Sequence, residues 1–240
     1  MLTIRLYVFQ RKVITVSELI QINNLTIKAN TQTIISNLSF DVQPNEILTI
    51  NGPSGSGKST VLKYLAQLQS PALTTSGDYL FKGKNVEDID PIELRQKVSY
   101  CFQAPTLFGE TVRDNLQFSY DIRDMDFDEE LAKDLLSHVQ LPKSYLDKDI
   151  TTLSGGEKQR VALIRNVQFR PDILLLDEIT SALDSDTRKI IWEWLNQYRK
   201  ENNVTVIIVS HIKKEQQLAD RIITLDKIGF DESEDNHEPA

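Results

Sequence analysis

A single cysteine, Cys101, excludes an internal disulfide and any zinc site built on several thiolates. It lies in Val98-Ser99-Tyr100-Cys101-Phe102, which reads as a strand, so its expected role is buried packing. Long apolar runs are also missing. Val204-Thr205-Val206-Ile207-Ile208-Val209 has strand length, far short of the about 18 residues that a membrane-spanning helix needs. Nor is there an excess of positive charge: 27 Lys and Arg stand against 35 Asp and Glu. No nucleic-acid surface is suggested, and nucleic acid is not an expected partner. The start, Met1 to Phe9, is apolar but broken by Arg5, and no small-residue cleavage site follows. A signal peptide is therefore not expected, the chain is expected in the cytoplasm, and a membrane role would need a separate membrane subunit.

What is present suits a soluble globular α/β protein, with 40% hydrophobic and 26% charged residues over 240 positions. Residues 1–19 read as an N-terminal extension and 229–240 as an acidic, solvated tail, since Asp231, Glu232, Glu234, Asp235 and Glu238 meet no basic residue there. Between them, 20–228 reads as one domain. Ile22 to Ile27 and Leu38 to Val42 alternate apolar with polar residues, as half-exposed antiparallel strands do. Ile47 to Ile50 opens a buried core, and Asp78 to Phe81 and Val98 to Phe102 are further strands. Helical spacing then dominates, as in Leu131, Leu135, Leu136 and Val139, and marks an inserted helical subdomain at about 104–165. Afterwards helices alternate with the apolar strands Ile173 to Leu176 and Val204 to Val209, and Trp192 and Leu195 share a face of the helix predicted over Asp186 to Arg199. Trp192 and Trp194 are read as packing residues.

The residues that carry chemistry begin with Gly52-Pro53-Ser54-Gly55-Ser56-Gly57-Lys58-Ser59-Thr60, a G-x-x-x-x-G-K-[ST] pattern. It follows the Ile47 to Ile50 strand and precedes Val61, Leu62, Leu65 and Leu68 at helical spacing. In that context glycines let backbone N–H groups and a helix N-terminus face a triphosphate. Lys58 would reach the β- and γ-phosphates, and the Ser59 hydroxyl would hold Mg²⁺. The bland alternative is a glycine-rich turn that happens to precede Lys-Ser.

A second element, Ile173-Leu174-Leu175-Leu176-Asp177-Glu178, is a buried strand ending in two carboxylates. Parallel strands deliver their carboxyl ends to the ligand crevice of α/β sheets. Asp177 would support Mg²⁺ there and Glu178 would polarise an attacking water. A third, Leu153-Ser154-Gly155-Gly156-Glu157, combines a capping box with two glycines that a cap does not need. Each glycine costs about 1 kcal/mol of helix stability relative to alanine. They make sense if a phosphate approaches this helix end, and since the glycine loop already has its own helix, that phosphate would belong to another subunit's site.

Together these segments resemble the ABC-type ATPases. Gly52 to Thr60 resembles the Walker A motif, Ile173 to Glu178 the Walker B, and Leu153 to Glu157 the LSGG signature. Gln103 is similar to the Q-loop, Ser181-Ala182-Leu183-Asp184 to the D-loop, and His211 to the switch histidine, all in the family's order over about residues 20 to 226. The resemblance implies a P-loop NTPase core with an antiparallel β subdomain and an inserted helical subdomain. It implies ATP and Mg²⁺ as cofactors, with Ser59, Gln103 and Asp177 at the metal, Gln103 also at the attacking water, Glu178 as general base, and His211 contacting the γ-phosphate and orienting that water. Ser154, Gly155 and Gly156 would grip ATP of the opposite subunit in an ATP-dependent head-to-tail homodimer. The wording around Gln103 and Ile179 resembles the Fet-type (YbbL-like) ATPases associated with iron export. That implies an integral membrane permease as partner and a peripheral position on the inner face of the membrane. The Thr106 to Val112 segment, with Leu107 and Phe108, is expected either to dock that permease or to pack inside. The alternative function is a soluble ABC ATPase of the iron–sulfur assembly type. One departure from the family is that Leu25-Thr26-Ile27-Lys28-Ala29 lacks the aromatic residue that usually stacks on adenine.

Overall fold

The computed structural model describes residues 18–228. The extension, apart from Glu18 and Leu19, and the acidic tail lie outside the described residues. The first sheet is antiparallel, in the order β2-β1-β4-β5. It comprises β1 (Ile20–Ala29), β2 (Gln32–Val42), β4 (Leu73–Phe81) and β5 (Lys84–Asn85). In β1 the residues Ile20, Ile22, Leu25 and Ile27 are buried. Their spacing breaks strict alternation between Ile22 and Leu25, and a register irregularity against β2 falls there, with Asn24 at φ 54. The bulge keeps all four apolar side chains on the inner face.

The second sheet is wholly parallel, in the order β6-β7-β8-β3-β9. Its strands are β3 (Ile47–Asn51), β6 (Val98–Cys101), β7 (Ile173–Asp177), β8 (Thr205–Val209) and β9 (Arg221–Thr224). Every residue of β7 and β8 is buried, as continuous apolar runs covered on both faces must be. Alternate residues feed two separate cores. Leu48, Ile50, Ile173, Leu175 and Ile207 pack with α1 (Lys58–Leu65) and the antiparallel sheet. Leu174, Leu176, Val206 and Ile208 face the other way. There they meet α3 (Val112–Asp121), α4 (Glu129–His138), α5 (Gly155–Val167) and α6 (Ser185–Asn202). α2 (Pro91–Lys97) precedes β6, and α7 (Lys213–Gln216) is a single turn after β8.

Particular expectations hold. Cys101 is buried, and burial pushes its thiol up to about 12, which keeps it inert. Trp192 and Leu195 are buried together, while the half-buried Trp194 packs beside Tyr198 and His138. Two expectations fail at element ends. Leu68 stands outside α1 and is 38% exposed, because the helix stops at Leu65 and Gln67 turns the chain at φ 54. Phe102 lies beyond β6 and is 46% exposed, its ring set edge-on against Tyr100.

Candidate functional site

Four loops leave the carboxyl edge of the parallel sheet side by side: those after β3, β6, β7 and β8. Chain order puts Gly52 to Gly57, then Gln103, then Glu178, then His211 just past those strand ends. Parallel packing therefore gathers residues far apart in sequence into one crevice.

The loop after β3 wraps tightly. A Cβ at Gly52 (φ 150) would stand 2.5 Å from the Leu225 carbonyl oxygen, and one at Gly57 (φ 87) 2.7 Å from Ile35 Cδ1. Only glycine fits either place. Gly57 caps α1 with no side-chain hydrogen bond, so the first N–H groups of the helix are left for an anion. Lys58 is 6% exposed and folds back over its own loop, its Nζ donating to the carbonyls of Gly52 (2.9 Å) and Pro53 (2.8 Å). The Ser56 hydroxyl is buried without a partner among the described residues. A positive helix end, a lysine and a spare donor fit a polyphosphate.

Beside this loop the strand ends supply the polar groups. Ser59 Oγ donates to Asp177 Oδ1 at 2.9 Å. Gln103 Nε2 donates to Glu178 Oε2 at 3.0 Å, and His211 Nε2 lies 3.1 Å from Glu178 Oε1. Glu178 thus stands between the two other candidate hydrolytic residues, each of its carboxylate oxygens facing one of them. Ser54 to Thr60, except Ser56, line a cleft of about 710 Å³ together with Gln103, Glu178 and His211. Ser59, Asp177 and the Gln103 amide oxygen are hard oxygen donors, the chemistry that suits Mg²⁺ rather than a softer metal.

Tyr100 is the residue that sequence reasoning missed. Its hydroxyl donates to Asp177 Oδ2 at 2.6 Å, so both oxygens of Asp177 are held. Burial first, and then this bond, keep the phenol above its ordinary range, so it stays a donor. A tyrosine in a strand reads as packing, and nothing in the sequence marks its hydroxyl.

Ser154, Gly155 and Gly156 do not line that cleft. They begin α5, where the expected capping box forms: Ser154 Oγ accepts from Glu157 N at 3.2 Å and Glu157 accepts from Ser154 N at 2.7 Å. Ser154 and Gly155 are exposed. A Cβ at Gly155 would meet nothing within 4 Å, whereas at Gly156 it would crowd Leu183 Cδ2 at 3.2 Å.

A glycine cradle on a strand-to-helix turn, with two carboxylates ending a neighbouring parallel strand, defines a P-loop nucleotide hydrolase. Comparison with known proteins narrows this. The pattern of the ABC transporter family matches residues 35–181. The chain is 48% identical over 209 residues to the probable iron export ATP-binding protein FetA of Escherichia coli, covering 87% of this chain and 92% of that one. It is 38% identical to ABC transporter I family member 17 of Arabidopsis thaliana, over 78% of this chain and 70% of that one. The structure of a bacterial Atm1-family ABC exporter with ATP bound superposes with a TM-score of 0.77 at 27% identity, over 89% of this chain and 39% of the exporter chain. The protein belongs to the ABC transporter family and is its ATP-binding, ATP-hydrolysing subunit. The soluble iron–sulfur assembly alternative is not favoured by these likenesses.

Proposed function

We propose that this subunit drives export of iron or a related metal through a separate permease, working as a head-to-tail dimer with Mg²⁺ and ATP. The observation that carries the substrate is the 48% identity, over nearly the whole of both chains, to a protein named for iron export. Among the described residues no helix is long and apolar enough to cross a membrane, and no cluster of His, Cys, Asp or Glu could hold a metal. On this reading the cargo is bound by the permease, and the subunit sits on the inner face of the membrane through it.

In the cleft, Lys58 and the loop amides bind the phosphates. Ser59, Asp177 and Gln103 would hold Mg²⁺, which would supply positive charge to neutralise the phosphate oxygens. Glu178 accepts the proton of the attacking water, and His211 orients that water against the γ-phosphate. Ser154, Gly155 and Gly156 close over the nucleotide of the opposite subunit.

Coupling to the permease is assigned to the surface after Gln103. Leu107 is half-buried and packs inside, but Phe108 faces outward, edge-on to Phe118 at 4.7 Å. Phe108, Phe118, Ile122 and Phe169 line a groove with Arg165, whose guanidinium lies 5.3 Å from the Phe108 ring centre. An apolar groove of this kind suits a helix of the permease. The test is cellular iron and peroxide sensitivity in a strain lacking this chain. Both should rise on deletion, return with the native protein, and stay high with Phe108→Asp. Unchanged iron and sensitivity on deletion would remove the export assignment and leave the ATPase standing.

The missing aromatic predicts weak base discrimination. Ile27 is fully buried, whereas Ala29 is partly exposed at the end of β1, so of these two positions 29 is the one with room for a ring. ATP and GTP should be hydrolysed with similar kcat/KM. Ala29→Tyr should tighten ATP by about 3- to 10-fold, the worth of one stacking contact. Competition between the two nucleotides measures this, and strong preference for ATP by the native protein would point to another group reading adenine.

A further inference from the structure

Among the described residues lining the nucleotide cleft, Glu178 alone holds a left-handed backbone without being glycine, at φ 50. Such a conformation costs about 1–3 kcal/mol and persists only where its surroundings fix it. Part of the restraint is backbone: Glu178 N donates to the Val209 carbonyl at 2.9 Å, and Ser181 N to the Glu178 carbonyl at 3.2 Å. Next to this turn lies a carboxylate that the hydrolytic reading does not use. Glu215, in the short turn α7, is only 2% exposed. Its Oε1 accepts from Thr180 Oγ1, two residues after Glu178. Its Oε2 accepts from Ser210 Oγ at 2.5 Å, one residue before His211. Arg188 Nε stands 3.6 Å from the same carboxylate, while Arg188 Nη2 donates to the Leu183 carbonyl at 2.8 Å.

We infer that Glu215 is a positioning residue that clamps the turn after Glu178 to the loop carrying His211, and so fixes the 3.1 Å spacing between those two side chains. This rests on the reading of Glu178 and His211 as the hydrolytic pair. None of Thr180, Ser210 and Glu215 lines the cleft, so the clamp acts through the pair and not on nucleotide. The chemistry calls for a carboxylate. It only accepts, so both hydroxyls must donate to it, which leaves Ser210 Oγ free to accept from Ile212 N at 3.1 Å. A glutamine would set an NH₂ against one hydroxyl and lose the charge that pairs with Arg188.

The test compares Glu215→Gln, Thr180→Val and Thr180→Ser in the full chain, with ATP turnover and equilibrium ATP binding measured on each. Glu215→Gln and Thr180→Val should lower kcat by about 10- to 100-fold, the scale of a misplaced catalytic group. KM and ATP affinity should change by less than about twofold, because ground-state binding is untouched. Thr180→Ser, which restores the hydroxyl, should recover most of the turnover. The double variant T180V/E215Q should be no worse than the weaker single, since both cut one tether. Unchanged kcat, a parallel loss of affinity, or losses that multiply in the double variant would each overturn the clamp. Should Glu215→Gln fold poorly, the milder Thr180 pair decides alone. Glu178→Gln measured alongside separates the two levels. If it keeps its turnover, the hydrolytic reading fails and the clamp with it; if it loses turnover while the clamp variants do not, only the clamp fails.

Discussion

Glu178→Gln should lower ATP turnover by about 10²- to 10⁴-fold, the usual contribution of a positioned base, while MgATP still binds. The amide keeps the volume and can still accept from Gln103 Nε2, which lies 3.0 Å from Oε2 in the native protein. It cannot take a proton from water. Phosphate binding is untouched, because Lys58 and the Gly52 to Gly57 loop belong to a different strand end. If the chain works as the proposed head-to-tail dimer, bound ATP that is not hydrolysed should then accumulate between two subunits and hold them together by linkage, by about 2.7 kcal/mol at a hundredfold excess over Kd. Turnover assays and sedimentation with ATP check both halves. A variant with near-normal turnover would take Glu178 out of the chemistry and leave its contacts with His211 and Gln103 as scaffolding.

Much of this site is legible in the sequence because its parts are local. The glycine loop announces itself by spacing, and Ile173 to Asp177 and Thr205 to Val209 by unbroken apolar runs, which only a sheet covered on both faces can bury. The capping box of Ser154 and Glu157 is likewise a short-range pattern and forms as read. What escapes the sequence is long-range and polar. Tyr100 and Asp177 are 77 positions apart, and only the pairing of β6 with β7 brings the phenol to the carboxylate. Glu215 sits among Lys213, Lys214 and Gln216 and reads as one more solvated charge. Its burial depends on how the loop after β8 folds over the turn after β7, which no periodicity encodes. Leu68 shows the opposite error: its spacing continues a helical stripe, but the helix has already ended.

Gly155→Ala should make the protein more stable and less active. In this chain the glycine has no visible reason of its own: an added Cβ would meet nothing within 4 Å, and no left-handed backbone angle requires it. Alanine in the first turn of α5 should therefore stabilise the helix, by up to about 1 kcal/mol, readable as a rise in Tm. The neighbouring position cannot make the same test. A Cβ at Gly156 would press on Leu183 Cδ2 at 3.2 Å and the Ala182 carbonyl at 3.4 Å, so a loss there could be mere packing against the D-loop. At Gly155 no group among the described residues meets the extra methyl, which leaves that surface open to a second subunit. If a second subunit's γ-phosphate comes against this helix end, the methyl holds it off and weakens a contact to which the backbone amides and the dipole contribute. Turnover at saturating ATP and high protein concentration should then fall by about tenfold or more, short of the roughly 10²- to 10³-fold that losing a charge-stabilising donor outright costs. ATP binding to the isolated chain should stay as it was, since Gly155 does not line its own cleft. A variant that gains stability and keeps full turnover would show that no phosphate approaches here, and the composite site between two subunits would have to be built from other residues.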